Sequence, residues 1–165
     1  MVHSRGLLFA AILLVATLSG CNGITNPQSQ LNPGALSVDF PDGTELLVQG
    51  GTVFSTAADG STFNVFATSN VSGSNVGDEM TLAIPVQATL PYTVTSQTDG
   101  LVDVGYWDSE GSGTQYDGNF AQGNCTVTIT QISPTLVGTF RARVVCPSIP
   151  DSIELSNGEF NASPQ

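Results

Sequence analysis

From residue 35 onward the chain is built from short segments in which apolar and polar residues alternate. Gly, Asp, Asn, Ser and Pro separate these segments. Alternation with a period of two places every second side chain on the same face of a strand, whereas a helix needs apolar residues three and four apart. No sustained helical pattern of that kind occurs in this part of the sequence. The sequence therefore predicts a single all-β domain over residues 35–165.

Several segments have the alternation and length of strands. The predicted strands are Glu45–Gln49, Val53–Ala57, Thr62–Thr68, Met80–Ile84, Gln87–Thr95, Leu101–Trp107, Cys125–Ile132, Val137–Cys146, Ser152–Leu155 and Glu159–Ala162. Asp-Gly pairs at 59–60, 99–100 and 117–118 are typical of the tight turns that join antiparallel strands. This punctuation indicates one antiparallel β-sandwich or up-and-down barrel of about 8–10 short strands.

The first 20 residues have the pattern of a secretory signal. Arg5 precedes an uninterrupted apolar run, Gly6–Leu18, which is shorter than the roughly 20 residues needed to span a bilayer. Residues 18–21 (LSGC) follow and resemble the lipobox of bacterial lipoproteins, a leucine and two small residues before a cysteine. The resemblance implies that residues 1–20 are removed and that Cys21 carries diacylglycerol and acyl chains such as palmitate. A plain signal peptide with an incidental cysteine is the alternative.

The predicted anchor also indicates a location. Two or three acyl chains, at about 0.8 kcal/mol per buried methylene, hold a protein stably on a membrane. By analogy with enteric bacteria, Asn22 after the cysteine favours the outer membrane over the inner. Residues 21–34 form the lipidated cysteine and a polar, proline-containing tether with a reach on the order of 20 Å. We therefore expect a lipid-anchored protein of the bacterial cell envelope, with the membrane as its first partner.

Acidic residues dominate the charged composition. The chain has 14 Asp and Glu against three Lys and Arg, and charged residues make up 10% of it, compared with about 25% in typical soluble domains. After the predicted cleavage only Arg141 and Arg143 carry positive charge. Such a surface repels phosphate backbones, so the sequence excludes nucleic acid as a partner. Adaptation to high salt and drift toward a generic acidic exported protein explain the composition equally well.

Cys125 and Cys146 lie on neighbouring predicted strands that are joined by one turn. A hairpin that sets these two cysteines opposite each other also pairs Val127 with Val144 on the same apolar face. Directly opposed residues of antiparallel strands have Cα atoms about 4.5–5.5 Å apart, which is within disulfide range. In an exported protein two such cysteines are most simply a bridge. We therefore predict a Cys125–Cys146 disulfide that stabilises the fold by about 3 kcal/mol.

The residue types that the mature chain lacks exclude most catalytic designs. The one histidine, His3, lies in the predicted signal peptide, and the chain has no lysine. Serine and cysteine nucleophiles would have no imidazole or amine as base, and zinc sites built on histidine are excluded as well. A carboxylate pair for glycoside hydrolysis remains, but it needs a cleft that small domains of short strands rarely supply. We therefore expect no catalytic residues and no enzymatic activity.

Residues 108–119 have some features of a calcium-binding loop. Oxygen side chains recur at alternate positions and the sixth residue is glycine, as in an EF-hand. Asp108, Glu110 and Asp117 are the candidate metal ligands. However, the twelfth position is Asn119 instead of a bidentate glutamate, and no helical pattern flanks the stretch. A solvated hairpin loop is the favoured interpretation, with no cofactor other than the lipid on Cys21.

Aromatic residues near this stretch are candidate ligand-binding side chains. Trp107 and Tyr116 are suitable for stacking on a sugar or a peptide, although packing in the core is the more common use of such residues. Alternation along the strand places Tyr106 and Trp107 on opposite faces. We therefore expect one of these two rings in the core and the other toward solvent.

Three motifs follow one another in the last third of the chain: a Thr-rich strand (CTVTITQIS), a Gly-Thr-Phe strand (VGTFRARV) and a closing segment (IELSNGEFNAS). Together they resemble the C-terminal half of a group of small bacterial lipoproteins of unknown function. The earlier segment MTLAIPVQATLPYTV resembles that group as well. The resemblance implies a membrane-tethered all-β domain, and it carries over no catalytic or binding residues. The two downstream cysteines are not part of it.

The sequence thus predicts a non-enzymatic envelope lipoprotein that serves as an interaction or structural module, with an envelope protein or a glycan as its partner. One alternative is a lipocalin-like carrier that holds a small apolar ligand inside a barrel. Another is a calcium- or carbohydrate-binding module. An internal cavity would favour the carrier, whereas a filled core beside an exposed aromatic surface would favour a binding module.

Overall fold

The computed structural model describes residues 31–69, 77–99, 102–108, 113–119 and 122–165. The predicted signal peptide, Cys21 and most of the tether lie outside these residues. The predicted all-β domain is confirmed, with one helical turn, Ser96–Asp99, among the strands. Within the described ranges no helix has the length and apolar character needed to cross a bilayer.

The strands follow the alternation of the sequence closely. In chain order they are β1 Ala35–Asp39, β2 Glu45–Val48, β3 Thr52–Thr56, β4 Thr62–Thr68, β5 Glu79–Pro85, β6 Tyr92–Thr95, β7 Asp103–Asp108, β8 Thr114–Asp117, β9 Asn124–Gln131, β10 Leu136–Val145 and β11 Ser152–Pro164. Every predicted strand overlaps one of these, but β1 and β8 were not predicted. The last two predicted strands are a single strand, β11, because Asn157 takes a positive φ of 50° at an irregularity in the pairing and does not form a turn.

Hydrogen bonds join the eleven described strands in one sheet, in the order β2-β1-β11-β3-β4-β5-β7-β8-β10-β9-β6, and an additional pairing of β10 with β11 closes the sheet on itself. We call the part β2-β1-β11-β10-β9-β6 the six-strand layer and the part β3-β4-β5-β7-β8 the five-strand layer. Short pairings join the layers at both sides, where Ser163 of β11 lies beside Val53 of β3 and Val145 of β10 lies opposite Asp117 of β8. Among the described strands the pairings are antiparallel, except that between β11 and β3. The domain is therefore built from one sheet that closes through the β10–β11 pairing, as in a barrel.

Apolar side chains from both layers fill the space between them. Each layer contributes the inward-facing residues of its alternating strands, such as Val65 of β4, Leu82 of β5 and Ile129 of β9, which are all almost completely buried. Full burial of one such side chain stabilises the fold by about 1.5–3 kcal/mol relative to exposure. The two layers thus hold each other in place through one continuous core.

Two glycine–phenylalanine pairs connect β10 to β11. Gly138 lies opposite Phe160, and Phe140 lies opposite Gly158. A Cβ atom on Gly158 would lie 2.6 Å from the Phe140 ring, and one on Gly138 would lie 2.7 Å from the Phe160 ring and 2.5 Å from the carbonyl oxygen of Thr128 on β9. Each ring therefore occupies the space that a side chain would need on the opposite strand. This complementarity fixes the pairing of β9, β10 and β11.

The predicted pairing of β9 with β10 is wrong by four residues. Cys125 lies opposite Ala142, and Val127 lies opposite Phe140. At about 3.3 Å per residue, Cys146 lies roughly 13 Å further along the strand, whereas disulfide-bonded Cα atoms are about 4.4–6.8 Å apart. Both thiols are free and buried, so the predicted disulfide is not formed. A shift by an even number of residues keeps the same side chains on the apolar face, so alternation alone does not select between the two pairings.

Substitution of Gly138 tests the close approach of β9, β10 and β11. We expect Gly138→Ala to lower the free energy of unfolding by about 1–3 kcal/mol, because the added methyl group displaces either the Phe160 ring or the β9 backbone. Ser55→Ala, at an exposed position of β3, is the control and should change stability by less than about 0.5 kcal/mol. Urea unfolding measures both. Equal urea midpoints for the two variants would contradict the close packing at Gly138.

Candidate functional site

The six-strand layer has two ends, and the chain enters the domain at one of them. We call the end at Gly34 the tether end, because residues 31–34 join β1 there and the Gly34 amide donates a hydrogen bond to the Asn161 carbonyl oxygen at 2.7 Å. The opposite end, at the turn between β1 and β2, is the distal end. The five residues of β1 separate the two ends by about 16 Å.

A solvent-open cleft of about 480 Å³ lies at the distal end. It is formed where the β1–β2 turn meets the beginning of β5, the end of β7 and the beginning of β11. Its lining combines apolar and acidic side chains: Phe40, Pro41, Asp42, Thr44, Glu45, Leu46, Asp78, Tyr106, Asp108, Ser152 and Ile153. We call this depression the distal cleft. Its volume lies in the range of about 300–1,000 Å³ that is common for ligand sites.

Three aromatic rings pack together at the distal cleft, and two of them, Phe40 and Tyr106, belong to its lining. Phe40 contacts Tyr106 with ring centroids 5.2 Å apart, and Tyr106 stacks on Tyr116 at 6.1 Å. The Tyr106 hydroxyl donates to Oδ2 of Asp78 at 3.2 Å, and the Tyr116 hydroxyl donates to Oδ2 of Asp151 at 3.0 Å. Tyr116 is only 6% exposed, which agrees with packing in the core, the use that the sequence favoured over stacking on a ligand. It is a core residue because it lies on the inward face of β8.

Carboxylates set the electrostatic character of the distal cleft. Burial and the nearby charges of Asp78 and Asp108 raise the pKa of Tyr106 above its usual value. Burial and Asp151 likewise raise the pKa of Tyr116 to about 12. Both phenols therefore remain neutral hydrogen-bond donors near pH 7. Hydrogen bonds from the Thr44 hydroxyl and amide lower the pKa of the Asp42 carboxyl. The cleft thus combines an apolar floor with negative charge.

The two candidate calcium ligands that the structure describes, Asp108 and Asp117, lie apart on the paired strands β7 and β8. Asp108 lies opposite Thr114 and lines the distal cleft, whereas Asp117 lies opposite Gly105, further along the same pair of strands. The second half of the predicted loop is strand β8, and Glu110 lies outside the described residues. Among the residues that the structure describes, no group of three or more His, Cys, Asp or Glu is arranged to hold a metal ion.

Asp117 instead forms a pair with Asp103. The Asn119 amide donates to Oδ1 of Asp117 at 2.7 Å and to Oδ1 of Asp103 at 3.1 Å. Burial, the charge of Asp117 and a hydrogen bond between the two side chains together raise the pKa of Asp103 to about 6. The Asp103 carboxyl therefore keeps its proton in mildly acidic solution. The pair lies on the outer side of β7 and β8, away from the distal cleft.

A second depression surrounds Trp107 on the outer face of the five-strand layer. It has a volume of about 290 Å³ and is lined by Glu79, Thr81, Gly105, Tyr106, Trp107 and Gln115. Trp107 is half-buried and lies between Glu79 of β5 and Gln115 of β8, its partners in the two adjacent strands. We call it the Trp107 groove. The expectation that Tyr106 and Trp107 face opposite sides of the sheet is confirmed, with Tyr106 in the core.

Comparisons with known protein families, with curated proteins and with solved structures found no match to this chain. The two depressions are therefore interpreted from their own chemistry. Sequence reasoning identified Trp107 in the Trp107 groove and Asp108 in the distal cleft. It missed Phe40, Asp42 and Asp78, which join Asp108 in the distal cleft from other segments. The Asp42-Gly43 turn was the only local signal for this end of the domain.

Replacement of Asp103 tests the raised pKa of its carboxyl. The raised pKa of Asp103 means that between about pH 4 and the folded value of about 6 the folded chain holds a proton that the unfolded chain has released. Stability should therefore fall as the pH rises through this window. Asp103→Asn should remove this pH-dependent part of the free energy of unfolding. Its size is on the order of 1 kcal/mol, because solvent screens the half-exposed pair.

Urea unfolding of both proteins between about pH 4 and pH 7 measures this difference. Asp42 and Asp59 have lowered pKa values because of hydrogen bonds from Thr44 and Ser61. Their stabilising effect is lost only below this window, as the pH falls. Because both proteins contain these two aspartates, the effect cancels when their stabilities are compared. If stability followed the same pH curve in both proteins, the raised pKa of Asp103 would be ruled out.

Proposed function

We propose that this chain is a lipid-anchored, non-enzymatic interaction module of the bacterial cell envelope, and that its distal cleft binds a basic segment of a partner protein. The observation that carries the proposal is the position and chemistry of the distal cleft. It combines an apolar floor with a carboxylate rim, and it opens at the end of the domain opposite the tether.

The point at which the tether joins the domain supports the proposal that the distal cleft faces away from the membrane. The chain enters the domain at Gly34, at the start of β1, and the distal cleft begins at Phe40, directly after β1 ends. A lipid on Cys21 would hold the tether end near the membrane through residues 22–33. The distal cleft would then face away from the membrane, where a partner can reach it.

Lysine and arginine side chains match the lining of the distal cleft. Their methylene stems pack on apolar surface such as Phe40 and Leu46, while the charged group reaches a carboxylate rim. Asp42 and Glu45 lie on the β1–β2 side of the cleft, and Asp78 and Asp108 lie on the β5–β7 side. The whole chain carries 14 acidic against three basic residues. Its field would accelerate the approach of a basic partner and repel acidic ones.

The filled core supports a binding module over the carrier alternative. A lipocalin-like carrier needs an internal cavity, whereas both layers of this domain direct large apolar side chains into one packed core. The distal cleft and the Trp107 groove both open to solvent. The lipobox-like residues 18–21 and the resemblance to small envelope lipoproteins support the anchored location.

The anchor is tested by removal of its acceptor. We expect the wild-type protein to sediment with the membranes, and Cys21→Ser to appear in the soluble periplasmic or extracellular fraction or to remain as unprocessed precursor. Intact mass of the wild type should correspond to residues 21–165 plus diacylglycerol and acyl chains. A membrane-bound Cys21→Ser protein with the mass of the mature wild-type polypeptide would contradict the proposed lipidation.

Two matched aspartates test the distal cleft. Asp42 accepts hydrogen bonds from the amide and hydroxyl of Thr44 at 2.9 and 2.6 Å. Asp59, at the far end of β4 from Asp78, accepts the same bonds from Ser61 at 2.9 and 2.7 Å. Asp42→Asn should weaken binding of a fluorescein-labelled Lys-Leu-Lys-Leu-Lys peptide about two- to fivefold, because it removes one rim charge. Asp59→Asn removes an equal charge from an equivalent turn and should leave affinity unchanged.

Fluorescence anisotropy of the peptide measures both affinities. Equal weakening by Asp42→Asn and Asp59→Asn would show that the peptide responds to net charge alone, and it would contradict a specific site at the distal cleft. Failure of the wild-type protein to bind the peptide would contradict it as well. Because the measurement uses purified protein, its result is independent of the anchor.

A further inference from the structure

The Trp107 groove has the features of a small carbohydrate site. We propose that it binds one sugar ring of a neutral oligosaccharide, with the Trp107 indole as the stacking surface. The proposal depends on neither the lipid anchor nor the distal cleft, since the groove lies on the outer face of the five-strand layer.

The shape of the groove depends on Gly105. In β7, Gly105 and Trp107 project from the same face, two residues apart. A Cβ atom on Gly105 would lie 2.6 Å from Oγ1 of Thr81. The absence of a side chain there leaves space beside the indole, and the Thr81 hydroxyl lies at the edge of that space. The groove of about 290 Å³ is at the small end of ligand sites, which fits one sugar ring better than a long apolar ligand.

The chemistry of the lining matches the two surfaces of a sugar. A pyranose ring has an apolar face of C–H groups that stacks on an aromatic ring, and a rim of hydroxyl groups that need hydrogen-bond partners. Glu79 and Gln115 are the direct neighbours of Trp107 on either side. A carboxylate accepts hydrogen bonds, an amide both donates and accepts, and a threonine hydroxyl does either. Indole and polar groups therefore lie within one groove, as a sugar requires.

The negative charge of the protein determines which class of glycan the groove can bind. Glu79 lies in the groove, and the whole chain has a formal net charge of −11. Acidic sugars would be repelled, whereas neutral sugars pay no such electrostatic cost. The inferred ligand class is therefore a neutral oligosaccharide.

The single tryptophan of the chain makes its fluorescence a direct reporter of the groove. The test uses the full mature protein in a polyoxyethylene detergent, which carries no sugar, with triacetylchitotriose, cellotriose and maltotriose as probes. At least one of them should change the Trp107 emission saturably and give a calorimetric binding isotherm. Absence of both signals for all three trisaccharides would overturn the proposal.

Variants then locate the binding site. Trp107→Ala should weaken the calorimetric affinity at least about tenfold, and Trp107→Phe should retain part of it. Gly105→Ala should also weaken binding, because its methyl group narrows the groove while the indole remains. Leu47→Ala is the control, since Leu47 is an exposed apolar residue (44%) on β2, away from the strands that form the groove. Unchanged affinity in Trp107→Ala and Gly105→Ala, with both proteins folded by circular dichroism, would overturn the assignment.

Discussion

The close approach of β9, β10 and β11 at Gly138 determines the arrangement of the rest of the domain. Gly138 has the Thr128 carbonyl oxygen on one side and the Phe160 ring on the other, with no room for a side chain. The reciprocal pair, Phe140 and Gly158, lies at the next inward-facing position of the same strands. Because β10 and β11 also carry the two connections to the five-strand layer, their pairing sets how the two layers join.

Both candidate binding surfaces contain residues from the end of β7. Alternation directs Tyr106 and Asp108 toward the distal cleft and Trp107 toward the outer face. The distal cleft forms only because the β1–β2 turn and the beginning of β11 reach the same end of the domain. The Trp107 groove forms only because β7 carries glycine at position 105, between its neighbours β5 and β8. One strand thus presents an acidic–apolar cleft on one side and an aromatic groove on the other.

Some of this was predictable from the sequence. Alternation identified the strands because burial on one face of a strand imposes a period of two, and it separated Tyr106 from Trp107 for the same reason. Alternation did not identify the partner of Cys125, since the correct pairing with Ala142 and the predicted pairing with Cys146 place the same side chains inward. The two pairings are distinguished by the fit of Gly138 against the Phe160 ring. The alternation of polar and apolar residues carries no information about that fit. The distal cleft was not predictable because its residues come from four separate segments.

The state of the two downstream thiols tests the central claim most directly, since it reports the pairing of β9 with β10. The mature protein, purified without reductant and unfolded in guanidinium chloride, should show two free thiols, those of Cys125 and Cys146. A Cys125–Cys146 disulfide would require β9 to pair four residues further along β10, away from the position at which Gly138 fits between Thr128 and Phe160. Detection of that disulfide by peptide mass spectrometry would contradict the arrangement of strands on which both binding surfaces depend.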